Sequence, residues 1–369
     1  MAKSVVFYSP MCALDNRSGA AFQMRSVLAA LAEAGWTARS LTLSLFDGTS
    51  QYPLSQLFGK SAVDPSNVGG FFRKTVDGVE HIVYYAQSTR GQDLTSDEAT
   101  AFYRKSAKLL NEYKPDVIIT FGGTQFCRRM IDMAGGICGS MVFYLANPHY
   151  NEADLFAPFD KVLVPTQFFS DYYKDKLGIE SDVLRTMLPS DHVVAPDNVL
   201  GVQAPQVRKH GFVTLLNPSP PKGGTLFARL VRMGERERPD LSFLAVEGRM
   251  TDEDWDKAGF DLAGMSNLWW IPNQQDVRRI YARTSILVFP SYWPEASGRS
   301  IAEAQLGGIP VLGSNNAGIP EQMNGGGFVL DVPQRCIDDH SKAPTEEEAR
   351  PWFDKICELM DDDYAYREA

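Results

Sequence analysis

Short apolar, β-branched runs alternate along this chain with stretches whose apolar positions recur at helical spacing. "KSVVFYS" (Lys3 to Ser9) precedes a loop and then "GAAFQMRSVLAALAEAGW", where Gly35 supplies a helix stop and "TARSLTLSLF" begins a second strand. "PDVIITFGG", "GSMVFYLANP" and "FDKVLVPT" are apolar runs bounded by Pro, Gly and Asp, the pattern of strands covered on both faces of a parallel sheet. Between Gln51 and Thr95 the alternation breaks into polar, glycine-rich segments, with a hairpin expected around "VDGVEHIVYYA".

A second series follows "SDHVVAPDNVLGVQAPQVRK", which lacks helical periodicity and reads as a linker. "HGFVTLLNP", "LSFLAVEG", "ILVFPS" and "IPVLGSN" read as strands, and "GTLFARLVRMGERE", "DVRRIYARTS" and "SIAEAQLGG" as helices between them. Two such series predict an α/β protein with two doubly wound, Rossmann-like domains facing across a cleft. The expected boundaries are residues 1–190, a linker at 191–208, a second domain at 209–335 and a helical C-terminal segment at 336–369. In such sheets ligands bind beyond the carboxyl ends of the strands, so the chemistry is expected in the strand-to-helix loops.

Composition narrows the function. The 369 residues, 44% hydrophobic and 22% charged, suit a globular protein of two cores. A formal net charge of −10 argues against a general nucleic-acid or anionic-membrane surface, though not against one local basic pocket. Five scattered cysteines without a CxxC pair argue against a disulfide framework or a zinc site and fit a reducing, cytoplasmic setting. The opening "MAKSVVFYSP" reads as a first strand, and no apolar run approaches the roughly 20 residues that span a bilayer. Peripheral contact with the inner face of a membrane stays open.

Three loops in the second half fall at strand-to-helix junctions. "NPSPPKGG" holds Asn217 and Lys222, and a lysine just ahead of a helix start suits a phosphate, although a solvated loop charge looks the same. "WWIPNQQDV" offers backbone groups around Ile271 and Asn273, and an apolar wall, to a nucleobase; two core tryptophans and a turn read equally well. "PEASGRSIAEA" places Gly298 where the backbone from Ser297 through Arg299 and Ser300 to Ile301 can approach an anion. Glu295 and Glu303 flank that turn, and carboxylates accept paired hydrogen bonds from the vicinal diols of ribose and hexose rings.

Together these loops resemble the retaining glycosyltransferases of family 4. Glu295 and Glu303-Ala304 are followed by Gly308-Ile309-Pro310-Val311 and Gly318-Ile319-Pro320-Glu321, which matches the family's long two-glutamate signature. The likeness extends through "YARTSILVFPS", "PSPPKGG" and the N-terminal "SGAAFQMRSVLAALAEAGW", and is looser in the first half. It implies the GT-B fold, with an acceptor domain first and a nucleotide-sugar domain second. It implies that Glu303 binds the ribose, that Glu295 binds the transferred sugar, and that Lys222 and the Ser297–Ile301 backbone hold the diphosphate. Gly19 would approach the donor phosphates or the acceptor from the first domain. No cofactor or metal is implied, and no Asp-x-Asp or histidine cluster stands near these loops.

Three departures from the family pattern stand out. Asn217 occupies the place of a loop arginine, Ser297 replaces a phenylalanine before the signature glycine, and the acceptor-side histidine has its nearest counterpart at His149, several residues offset. The expected function is transfer of a hexose-type sugar from a nucleotide diphosphate donor, UDP- or GDP-linked, to a hydroxyl of a glycan, a lipid-linked or a small-molecule acceptor. Glu295, Lys222 and His149 are the candidate catalytic residues, and acceptor contacts are expected around Asn16, Gly122, Gly123 and His149. The alternatives are a catalytically silent nucleotide-sugar binding or scaffold protein of the same fold, and a sugar-nucleotide epimerase.

Overall fold

The computed structural model describes residues 2–16, 18–46, 54–88, 90–189, 211–248, 250–257, 262, 264–274 and 276–369. The chain divides into two units, Met1–Met187 and Leu188–Ala369, each built on its own sheet. The segment read as a linker, 191–208, lies outside the described residues.

The first unit carries β1 (Ser4–Met11), β2 (Thr37–Leu45), β3 (Phe71–Val76), β4 (Val79–Tyr84), β5 (Val117–Thr120), β6 (Ser140–Tyr144), β7 (Lys161–Val164) and β8 (Asp182–Val183). Their order in the sheet is β3-β4-β2-β1-β5-β6-β7-β8, and only β3 runs antiparallel, as the partner of β4 in the expected hairpin. Helices α1 (Gly19–Glu33), α2 (Ser96–Tyr113), α3 (Gln125–Gly135) and α4 (Gln167–Leu177) connect the parallel strands. Local chemistry sets their ends. The Ser18 hydroxyl accepts from the Ala21 N–H at 3.3 Å to start α1, and Thr95 with Glu98 forms a reciprocal capping box at α2. Val5, Phe7, Met24, Leu28, Ile119 and Tyr144 pack between α1 and the sheet.

The second unit carries β9 (Phe212–Leu216), β10 (Phe243–Val246), β11 (Leu268–Ile271), β12 (Thr284–Phe289), β13 (Val311–Ser314) and β14 (Phe328–Leu330). All are parallel, in the order β11-β10-β9-β12-β13-β14. The strand alternation shows along β12. Ile286 and Val288 join one core with Leu226, Phe227 and Leu230 of α5 (Gly224–Glu237). Leu287 faces the other side, with Ile301 and Ala304 of α6 (Arg299–Leu306) and Ile319 of α7 (Ile319–Met323). Each such Leu, Ile, Val or Phe side chain contributes about 1.5–3 kcal/mol by leaving water, and the Ala304 methyl less. The helix read across "DVRRIYARTS" is shorter than its pattern, Arg278–Tyr281, because Thr284 is already in register with Phe212 as the first residue of β12.

The C-terminal helix α8 (Glu346–Asp361) closes the larger core with Trp352, Phe353, Ile356 and Leu359. The Tyr366 hydroxyl, beyond α8, donates to the Ser285 carbonyl at 2.8 Å. Among the described residues no helix is long and apolar enough to cross a membrane, and all five cysteines are free thiols.

Candidate functional site

In the second sheet the strands grow outward from β9 in one direction through β10 and β11, and in the other through β12, β13 and β14. The loops leaving the carboxyl ends of β9 and β12 therefore diverge at a switch point, where open α/β sheets leave a crevice. Lys222 comes from the first loop and Glu295 from the second. Their side chains form a direct ion pair, and both are largely withdrawn from solvent. The sheet order is what brings together two residues 73 positions apart in sequence.

Backbone fit fixes both loops. Gly223 has φ +78°, and a Cβ there would lie 2.0 Å from the Pro290 carbonyl oxygen, so the post-β9 turn touches the end of β12 closely. The Pro221 carbonyl accepts from the Tyr292 and Trp293 N–H groups, each at 2.9 Å. From the other side Asn316 donates to the carbonyls of Ser291, Tyr292 and Trp293 at 2.9–3.2 Å. The Ser314 hydroxyl also donates to the Ser291 carbonyl, at 2.8 Å. The Ser291 hydroxyl lies 3.0 Å from Glu295 Oε1, so the carboxylate is oriented by a neutral donor as well as by Lys222. The Gly318 N–H donates to the Glu295 carbonyl at 3.0 Å, tying the loop to the start of α7.

Glu303 sits in a different environment. It lies one turn into α6 and is 1% exposed. The buried Tyr281 hydroxyl donates to its Oε2 at 2.6 Å, and Arg299 Nε approaches its Oε1 at 3.4 Å. Burial, and then the adjacent carboxylate, push the Tyr281 phenol well above its ordinary range, so it stays a proton donor. Across the sheet, the ends of β10 and β11 are joined by Glu247. Its carboxylate accepts from the Trp270 indole at 3.2 Å, and its carbonyl accepts from the Asn273 amide at 3.1 Å.

The remaining expected residues fall as follows. Asn217 adopts φ +56°, and a Cβ on Gly248 would lie 2.4 Å from its side chain, so this residue packs against the end of β10. Ile271 ends β11 half-buried, while Asn273 is exposed. Ser297 and Ser300 are partly exposed on either side of Gly298, the residue preceding α6, and Ile301 is buried beneath them. In the first unit Gly19 is the exposed first residue of α1. Asn16 receives a 3.1 Å hydrogen bond from Arg25, which also donates to the Ala13 carbonyl at 3.1 Å. Gly122 and Gly123 follow β5, where the Gly122 N–H donates to the Tyr150 hydroxyl at 3.2 Å. His149 is exposed in the turn after β6, its N–H bonded to Asn147 Oδ1 at 3.0 Å.

Four supporting residues escaped the sequence reading: Tyr281, Ser291, Asn316 and Arg25. Tyr281 had a signal, since a tyrosine in an otherwise aliphatic pattern needs a partner for its hydroxyl. Asn316 had none, because its acceptors are backbone carbonyls of another loop.

Residues 244–342 match the family described as glycosyl transferases group 1, and no curated protein sequence matches the chain. The fold is similar to that of a glycosyltransferase from Rickettsia africae ESF-5, at TM-score 0.67 and 14% identity, covering 100% of this chain and 91% of that one. It is also similar to Anabaena HepE in complex with UDP and glucose, at TM-score 0.61 and 16% identity over 100% of this chain and 98% of that one. Sucrose-phosphate synthase from Thermosynechococcus elongatus aligns at TM-score 0.61 and 13% identity, over 99% and 97% of the two chains. The chain has the GT-B fold, and its second unit carries a glycosyl transferases group 1 domain.

Proposed function

We propose that this protein is a retaining glycosyltransferase that moves a hexose-type sugar from a nucleotide diphosphate donor to an acceptor hydroxyl. The observation that carries the reading is the contact between Lys222 and Glu295 at the switch point of the second sheet. The lysine offers positive charge to a departing diphosphate, and the carboxylate, held by Ser291, offers acceptors to sugar hydroxyls. Of the Ser297–Ile301 backbone the Ile301 N–H is bonded to the Gly298 carbonyl at 2.9 Å, so the N–H groups before it would face the diphosphate at the start of α6, and Glu303 would accept from the ribose. HepE, solved with UDP-glucose, makes a uridine donor the first to try.

In this reading the bond between the anomeric carbon and the phosphate oxygen breaks as the acceptor oxygen attacks from the same face. The acceptor proton passes to the departing phosphate, so no protein base is required. In this proposal Lys222 and Arg299 neutralise the leaving group, and no metal or cofactor is invoked. The first unit would contribute Gly19 to the donor phosphates or the acceptor, and His149 with Asn16, Gly122 and Gly123 to the acceptor. The acceptor is a glycan, lipid-linked or small-molecule hydroxyl, and the proposed setting is the cytoplasm or the inner face of its membrane.

A thermal-shift screen against UDP-, GDP-, ADP- and dTDP-sugars tests the proposal, because a ligand that binds only the folded state raises the melting temperature. The expected result is a shift with one base, a UDP- or GDP-sugar, and slow release of the nucleoside diphosphate from it. No shift with any of the four contradicts the reading. One observation favours a second reading, a nucleotide-sugar binder without turnover. Asn217 stands where the resemblance expects an arginine, and its side chain packs on Gly248. A thermal shift without nucleotide release from any donor and acceptor combination would favour that alternative.

A further inference from the structure

Arg299 is placed against the ordinary rules of helix stability. It is the first residue of α6, where the partial positive charge of the helix end disfavours a cation, and the first turn contains no acidic residue. Its i,i+4 pairing with Glu303 also runs in the weaker direction, with the cation on the N-terminal side. An arginine that served only to steady this helix would sit better elsewhere. Its position has a different consequence: in a carboxylate 1% exposed, Tyr281 hydrogen-bonds Oε2, while the buried Oε1 faces the Arg299 guanidinium at 3.4 Å as an ion pair rather than through a hydrogen bond. With Oε1 buried and Arg299 beside it, a diol gains access to Glu303 only if the side chains around that oxygen move.

We infer that Arg299 is an exchangeable counter-ion, which pairs with Glu303 in the ligand-free protein and transfers to the diphosphate when a nucleotide donor enters. This rests on the donor reading above and adds a residue role to it. Transfer relieves two costs together. The guanidinium at the helix start gains an anion, and Glu303 Oε1 becomes open to the ribose hydroxyls, while Tyr281 keeps the carboxylate oriented through Oε2. The exchange makes nucleoside and phosphate recognition interdependent. A nucleoside without phosphates displaces Arg299 from Glu303 without supplying an anion in exchange, and so binds poorly. A nucleoside diphosphate supplies the replacement partner.

The test is a pair of calorimetric titrations on the full chain. The diphosphate bound best by the wild type, among UDP, GDP, ADP and dTDP, is compared with its own nucleoside. In Arg299→Gln the diphosphate should bind about tenfold more weakly and the nucleoside about threefold more tightly. Arg299→Lys, which keeps a mobile charge, should hold both affinities within about threefold of the wild type. Circular dichroism melts confirm that the variants titrated are folded. If both affinities fall together in Arg299→Gln, the residue is a packing element and the exchange is wrong. If neither changes, the pair with Glu303 has no part in binding and the exchange is equally wrong. If the wild type binds none of the four diphosphates, the donor reading itself fails and the inference with it.

Discussion

Each of the two sheets has one place where strand addition reverses, between β1 and β5 in the first unit and between β9 and β12 in the second. The two places are furnished differently. The second has an ion pair and a buried carboxylate, held by Ser291, Asn316 and Tyr281. The first has Gly122 at φ +102°, Gly123 and a loop braced by Arg25, with the exposed His149 after the next strand. The same topology thus provides a crevice twice; among the described residues the second pairs a lysine with a carboxylate, whereas the loop after β1 in the first holds the buried Asp15 and is braced by Arg25. Under the proposed function, a diphosphate and two diols demand particular groups at fixed places, whereas a varied acceptor would be met by shape and by close backbone approach.

This contrast can be broken by mutation, and the largest expected effect is on turnover. Glu295→Ala should lower the rate of sugar transfer by roughly 10²–10³-fold while affinity for the free nucleotide changes little, since the carboxylate is assigned to the sugar. Steady-state rates together with nucleotide titration give both numbers, and full activity in this variant would favour the silent binder. The next effect is on stability. Gly223→Ala places a Cβ 2.0 Å from the Pro290 carbonyl at a positive φ, so denaturant unfolding should show a loss of roughly 3 kcal/mol. The same change should separate the loops that join Lys222 and Glu295.

A pH prediction probes the first unit. His81 on β4 is buried against Ser40, with its Nδ1 2.8 Å from that hydroxyl. Burial, and then the charges of Arg25 and Lys74, lower its pKa to about 4. Between pH 6.5 and 4 the unfolded chain therefore binds the proton and the folded chain does not. Stability should be intact above pH 6.5 and fall by on the order of 3 kcal/mol as pH drops through that window. His81→Gln should flatten this limb in urea titrations at several pH values, and an unchanged slope would contradict the assignment. The smallest structural effect belongs to Gly19→Ala. Among the described residues, apart from its chain neighbours and its own helix backbone, none comes within 4 Å of the added methyl, so folding stability should hold to within about 0.5 kcal/mol. If Gly19 approaches a substrate, turnover should nevertheless fall, by about tenfold.

The same contrast explains what the sequence revealed. The alternating runs gave the βα order of both units, and Gly224–Glu237 forms the helix its pattern predicts. The second-half loops were legible because their residue types and spacing are chemically particular: a lysine before a helix, two carboxylates, and a glycine between them. Their supports were not. Asn316 serves carbonyls of Ser291–Trp293, and no side-chain pattern reports a backbone acceptor in another loop. The i,i+4 spacing of Arg299 and Glu303 is visible in the sequence, but pairing follows only once burial removes solvent as the competing partner. In the first half, glycines and a turn histidine carry too little chemistry to name an acceptor.

Under the proposed function the second unit divides a nucleotide sugar between two carboxylates, with Glu303 on the ribose and Glu295 on the sugar. The direct measurement is isothermal titration of wild type, Glu303→Ala and Glu295→Ala with the nucleoside diphosphate found in the screen. The expected result is a loss of about 10–100-fold in affinity for Glu303→Ala, the worth of hydrogen bonds to a charged group, and a change under about threefold for Glu295→Ala. Equal affinity in wild type and Glu303→Ala would contradict it.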